Sequence, residues 1–116
     1  MTDSTTPELG AEDGKLVTLA RASRARTGAA EGAAVRDETG RTYAAVTVDL
    51  PHLRLSALQA AVAAAVASEA DRLEAAAVVT DQEGPSEQDR EVAADLKTGV
   101  LITAAPDGTP ASVDRP

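Results

Sequence analysis

Residues 53–68 read LRLSALQAAVAAAVAS and give the strongest helical signal in the chain. Leu55, Leu58, Val62 and Val66 recur at helical spacing and form one apolar stripe. The other faces of this predicted helix are largely alanine, so no broad polar face is left for solvent. A helix that is apolar all round is buried on most of its sides. The pattern therefore predicts a central helix that packs on a sheet and offers a face to another subunit.

The segments around this helix alternate between strand-like and helical patterns. Two β-prone runs flank the turn residues Asp37-Glu38-Thr39-Gly40 and predict a hairpin. Two short apolar runs, at 75–80 and 99–103, are typical of interior strands. Further helices are predicted at 13–26 and 86–96. The resulting order, α-β-β-α-β-α-β, predicts a layered α/β domain.

We expect one folded domain over residues 13–108. Residues 1–12 are polar, with Pro7 and Gly10, and are expected to form a disordered lead-in. Residues 109–116 are expected to form a loose tail. The N-terminal segment lacks the basic and apolar regions of a signal peptide, and no apolar stretch is long enough for a membrane span. A cytoplasmic location is therefore expected.

Composition narrows the classes of function and partner. The net charge of −8 argues against a nucleic-acid or anionic-membrane surface, and the absence of cysteine excludes disulfides and thiolate metal sites. Alanine accounts for 26 of the 50 hydrophobic residues, so the core buries little area for its length. Oligomerisation is a common remedy for a thin core. We expect a homo-oligomer, with a tetramer preferred to a dimer, and a buried contact that includes Ala60, Ala63, Ala64 or Ala67.

The element order and several motifs resemble the cytidine deaminase family of small zinc-dependent nucleoside deaminases. Gly32-Ala33-Ala34-Val35 stands where that family has a Gly-Ala-Ala strand, and Tyr43 matches the tyrosine after its hairpin turn. The central helix opens with Leu55-Ser56-Ala57-Leu58, where the family has Cys-Ala-Glu or His-Ala-Glu. Pro85-Ser86-Glu87-Gln88-Asp89-Arg90 stands where the family has Pro-Cys-x-x-Cys-Arg. The resemblance covers about residues 15–108 and implies a three-layer α-β-α sandwich.

The residues that carry the family's chemistry are replaced in this chain. The family needs three zinc ligands, Cys or His plus two Cys, and a Glu that moves protons to and from the zinc-bound water. The ligand positions hold Ser56, Ser86 and Asp89, and the Glu position holds Leu58. Hydroxyls are poor zinc ligands beside thiolates. We therefore expect no zinc and no other cofactor, no catalytic residues, and a structural or regulatory role through self-association and a protein partner.

Both serines also fit a helix-capping pattern, Ser-x-x-Gln at Ser56 and Ser-x-x-Asp at Ser86. In the family the zinc lies where two helix N-termini converge, so without the metal their N–H groups need other acceptors. A serine hydroxyl supplies one such acceptor. The pattern predicts that the metal site has become two helix starts that are satisfied within the chain.

Two other functions stay open. Thr47 and Asp49 stand in the segment where the family holds a ribose, so the first alternative is a nucleoside- or anion-binding module that uses the old cleft. The second is an active deaminase with an unorthodox site. His52, the only histidine, lies one turn before Ser56 and is a candidate metal ligand together with Asp49 and Asp89. The competing interpretation of His52, which we favour, is a surface residue in a proline-containing loop.

Overall fold

The structure is a computed structural model that describes residues 7–116. The elements are α1 (Ala11–Thr27), β1 (Gly32–Asp37), β2 (Thr42–Val46), β3 (Val48–Leu50), β4 (Leu53–Leu55), α2 (Ala57–Ala67), β5 (Leu73–Val79), α3 (Glu87–Asp95), β6 (Leu101–Ala104) and β7 (Pro110–Asp114). Five strands form one sheet in the order β2-β1-β5-β6-β7, in which only β5 and β6 run parallel, and β3 and β4 form a separate antiparallel pair. No helix in this part of the chain is long and apolar enough to cross a membrane.

Helices cover both faces of the five-stranded sheet. On one face, Leu16 and Ala20 of α1 belong to a buried cluster with Ile102 of β6. On the other face, Leu58 of α2 and Ala93 of α3 belong to a second cluster with strand residues of β1, β5 and β6. Residues 75–79 of β5 alternate between the two clusters, as expected for a strand that is covered on both sides. The three-layer α-β-α sandwich is therefore confirmed.

Alanine makes this packing unusually close. Half of the buried hydrophobic residues in the described chain are alanine. Where α1 crosses the start of β1, the approach is so close that a Cβ on Gly32 would collide with the carbonyl oxygen of Ala20. Only glycine fits there without a shift of the helix. Close approach keeps the layers in contact, although each alanine buries little apolar area.

The predicted hairpin between β1 and β2 is confirmed, and one carboxylate organises its turn. Asp37 accepts hydrogen bonds from the hydroxyl of Thr39, from the backbone N–H groups of Thr39 and Arg41, and from the Tyr43 hydroxyl at 2.9 Å. These donors, the Thr39 hydroxyl foremost, lower the pKa of Asp37 to about 2. Gly40 closes the turn with a φ of 91°, which favours glycine.

Two predictions at the helix boundaries are wrong. Leu53–Leu55 forms β4 and not the first turn of the central helix, which begins after Ser56 because Ser56 caps it. At the N-terminus, α1 begins at Ala11, inside the expected disordered lead-in. The rest of that prediction falls partly on residues 1–6, which lie outside the described residues.

The predicted loose tail is also wrong, because Pro110–Asp114 forms β7. This strand pairs antiparallel with β6, and Val113 packs against the cluster under α1. Without it, the backbone groups along the outer side of β6 would have no ladder partner. Together, β3, β4 and β7 are three strands that the predicted order did not contain.

Candidate functional site

The starts of α2 and α3 are joined by one short hydrogen bond. The Ser56 hydroxyl donates to Asp89 Oδ1 at 2.6 Å, across 33 residues of sequence. Ser56 precedes α2, and Asp89 lies in the first turn of α3. Hydroxyl-to-carboxylate hydrogen bonds of this length are charge-assisted and stronger than neutral ones. Two of the three positions that the resemblance aligns with zinc ligands are therefore joined directly by a hydrogen bond.

The predicted cap at Ser56 is confirmed as a complete capping box. Its hydroxyl oxygen accepts from the Gln59 backbone N–H at 3.1 Å, and its own N–H donates to Gln59 Oε1 at 3.0 Å. The Ser56 hydroxyl oxygen thus accepts one hydrogen bond, and its O–H donates another to Asp89. Both functions of the hydroxyl are occupied within the chain.

At Ser86 the cap is confirmed, but the box is not. The Ser86 hydroxyl oxygen accepts from the Asp89 backbone N–H at 3.1 Å. In a capping box the Asp89 side chain would return to the Ser86 N–H. Instead, its carboxylate bonds to Ser56, because a hydroxyl on the neighbouring helix start is within reach.

Asp89 is a buried carboxylate, with 3% of its surface exposed. Burial raises the pKa of Asp89 above its usual value, and the hydrogen bond from Ser56 opposes that rise in part. No salt-bridge partner for Asp89 occurs among residues 7–116. The site therefore holds an acidic group whose charge is compensated only by hydrogen bonds and the N-terminus of α3.

Leu58, which the resemblance aligns with the family's proton-carrying Glu, is fully buried in the cluster beneath α2. Its side chain contributes to the hydrophobic core. No group capable of general acid–base chemistry stands at this position.

A cleft of about 410 Å³ lies beside the start of α2 and includes Thr47, Asp49 and Ser56 in its wall. Thr47 and Asp49, the candidate ligand-binding residues, are thus brought together. The Thr47 hydroxyl oxygen accepts from the Glu31 N–H at 3.1 Å. Asp49 forms an exposed ion pair with Arg54 at 3.4 Å across the β3–β4 hairpin.

His52 lies exposed in the turn between β3 and β4. His52 does not line this cleft. It also does not line a second cavity, whose wall includes Ser86 and Asp89. Within residues 7–116, no three His, Asp or Glu side chains gather as possible metal ligands. The structure therefore does not bring His52, Asp49 and Asp89 together.

Glu31 and Thr103 also belong to the site, although neither was predicted. Glu31 follows α1 and lines both the cleft and the cavity, and Thr103 lines the cavity. Thr103 carries a visible signal, since it is a polar residue that ends the apolar run Val100-Leu101-Ile102. Glu31 carries none, because a charged residue after a helix is ordinarily solvated.

Residues 9–108 match the family model described as cytidine deaminase-like. The chain belongs to this family. A comparison with curated proteins found no significant match. Among solved structures, the chain is similar to the cytidine deaminase of Burkholderia pseudomallei, with a TM-score of 0.72 and 23% identity over 87% of this chain and 90% of that chain. It is also similar to the cytidine deaminase of Mycobacterium tuberculosis, with a TM-score of 0.67 and 24% identity over 86% of this chain and 89% of that chain. At this identity the likeness of structures shows the fold alone.

The zinc ion that a cytidine deaminase-like fold implies does not suit the residues at its position in this chain. Protein zinc sites are built from thiolates, imidazoles and carboxylates. Ser56 and Ser86 offer hydroxyls, and both already take part in helix caps. The one carboxylate, on Asp89, already accepts a hydrogen bond from the Ser56 hydroxyl. The donor set of these three residues therefore does not fit zinc.

We predict that Ser86→Ala lowers the free energy of unfolding by about 0.5–2 kcal/mol, the usual cost of losing an N-cap. Denaturant titration followed by circular dichroism measures the change. Ser68→Ala is the matched control, because Ser68 is exposed at the other end of α2 and its hydroxyl caps nothing in the described chain. Equal stability of the two variants would contradict the capping role.

The raised pKa of Asp89 gives a pH-dependent prediction. The folded protein holds this proton more tightly than the unfolded chain, whose aspartate pKa is about 3.8. Asp89 therefore favours folding below that pH and loses this contribution as pH rises through the raised pKa. Asp89→Asn, which keeps an acceptor for Ser56, should raise stability at neutral pH and have little effect near pH 3. Urea titrations at both pH values test this, and a loss of stability at neutral pH would contradict it.

Proposed function

We propose that this chain is a catalytically inactive, cytoplasmic member of the cytidine deaminase-like family with a structural or regulatory role through self-association. The observation that carries the proposal is the hydrogen bond from Ser56 to Asp89. It joins two of the positions at which the family places metal ligands, and the third, Ser86, caps α3. The polar groups at these positions satisfy one another instead of presenting themselves to a metal and a substrate.

The site also lacks a group for proton transfer at the position of Leu58. Deamination needs a group that takes a proton from water and delivers it to the leaving amine. Leu58 supplies no such group, and its burial in the core means that a carboxylate there would lose packing as well as hydration. Asp89 is acidic, but it is bonded to Ser56.

Self-association is supported by the surface of α2. Between Ala57 and Ala67 its only polar residue is Gln59. The helix nonetheless exposes Ala63, Ala64, Ala67 and half of Val66 to solvent. Small side chains let a second helix approach toward the lower end of the 8–10 Å range of interaxial distances. We propose a homo-oligomer built on this face, with a tetramer preferred to a dimer, and a protein partner as a further occupant of the assembly.

A second candidate function, binding of a nucleoside or an anion, is favoured by the cleft of about 410 Å³. Its volume lies within the range of small-molecule sites. The acidic residues in its wall, Glu31, Asp49 and Asp81, favour the nucleoside over the anion, because Arg54 is the only cationic residue that lines it. A thermal-shift response to nucleosides, absent with phosphate, would favour this function over a purely structural one.

We predict that the purified protein contains no stoichiometric zinc and does not deaminate cytidine or deoxycytidine. Elemental analysis after dialysis and an ultraviolet assay of deamination measure the two properties. The combined variant Ser56→Cys, Ser86→Cys and Asp89→Cys should bind zinc because thiolates replace hydroxyls at the two helix starts. It should stay inactive because Leu58 is unchanged. Zinc at about one ion per chain in the parent protein would contradict the proposal.

The proposed assembly makes its own prediction. Ala63→Glu or Ala67→Glu should dissociate the oligomer and lower its melting temperature, because a charge would be buried at the contact. Light scattering coupled to size exclusion measures the mass. Ala94→Glu is the control, since Ala94 is exposed on α3 and lines a surface pocket with Asp114 and Pro116. A parent protein that is monomeric at micromolar concentration would overturn the proposed assembly.

A further inference from the structure

A second cavity, of about 290 Å³, lies between the loop that follows β5 and the start of α3. Glu31, Thr80, Gln82, Ser86, Asp89 and Thr103 contribute polar groups to its wall. It borders the cleft described above, since Glu31, Thr80 and Gln82 line both. Asp89 and Thr103, however, line the cavity alone.

Thr103 is the feature of this cavity that the fold does not explain. Its side chain is fully buried on β6, and its hydroxyl has no hydrogen-bond partner. Buried polar groups in native proteins are almost always paired, and an unpaired hydroxyl lowers stability. Thr103 borders the cavity with none of its surface exposed, so a group held there could supply the missing partner after a small shift of the side chains around it.

The charge of the cavity restricts that group. Asp89 and Glu31 both line it, and no lysine, arginine or histidine does. Neither carboxylate forms a salt bridge within residues 7–116. Two carboxylates in one cavity repel anions and attract cations. The hydroxyl oxygens of Ser86 and Thr103 add acceptors for N–H donors.

We propose that this cavity binds a small primary alkylammonium ligand, whose N–H groups donate to Asp89 and Thr103. A divalent metal is disfavoured, because the described residues offer no group of three carboxylate or imidazole ligands here. The cavity is larger than one water molecule requires. Val78, Gly84 and Pro85 complete its wall and suit a short alkyl chain. The inference rests on the proposed function in one respect, namely that Ser86 and Asp89 hold no zinc.

Propylammonium chloride is the probe, added to ¹⁵N-labelled protein whose zinc content has first been measured. Amide chemical shifts at residues 84–90 and at Thr103 should move saturably. Sodium chloride at the same ionic strength and the neutral 1-propanol should not reproduce these shifts. Thr103→Val, which keeps the shape and removes the unpaired hydroxyl, should weaken binding about tenfold, as expected for one hydrogen bond to a charged group. Asp89→Asn should weaken it at least as much, and Thr42→Val, on the exposed face of β2, should bind like the parent.

The outcomes separate this inference from the proposed function. Zinc in the parent sample contradicts the proposed function and this inference together. A zinc-free protein that shows no saturable shifts, or the same shifts with sodium chloride or 1-propanol, overturns this inference alone. Equal affinity of the parent and Thr103→Val, with both folded by circular dichroism, also overturns it.

Discussion

The hydrogen bond from Ser56 Oγ to Asp89 Oδ1, 2.6 Å long, holds together two helix starts that belong to different parts of the chain. Each start leaves backbone N–H groups that need acceptors. Ser56 and Ser86 satisfy one such group each, and Asp89 connects the two caps through its side chain. A metal with thiolate ligands is one way to hold converging helix N-termini. In this structure, hydrogen bonds of two hydroxyls and one carboxylate connect the two helix starts.

This arrangement depends on the thin layers beneath it. α2 and α3 meet above a sheet whose buried residues are mostly alanine and valine, and α1 covers the other face at a distance that only Gly32 permits. Such a core fixes the positions of the helices by close contact more than by buried area. The same alanine-rich composition leaves one side of α2 apolar and exposed in the described chain. Local order at the site and an exposed alanine face are thus two results of one composition.

The layers of the fold, the β1–β2 hairpin and the serine caps could be predicted because each rests on a short-range pattern. Turn residues at 37–40 and the Ser-x-x-Gln spacing at Ser56 are such patterns. The side chain of Asp89 could not be placed in this way, since its partner lies 33 residues away on another helix. β4 was not predicted because Leu55 also fits the helical stripe of residues 53–68. β7 was hidden because its residues gain their role only as the partner of β6.

Asp89 is a buried carboxylate whose only side-chain hydrogen-bond partner among residues 7–116 is Ser56. Burial raises its pKa, which means that the surroundings favour the neutral form. Burying a charge without an ionic partner costs free energy, so stability alone does not account for a carboxylate at this position. Thr103 lines the same cavity, and its buried, unpaired hydroxyl also lowers the stability of the fold. A donor of positive charge would compensate both groups at once, because it would favour the ionised form of Asp89 and complete the hydrogen bonding of Thr103. Two unfavourable residues that line one cavity are better explained by a shared ligand than by two separate defects.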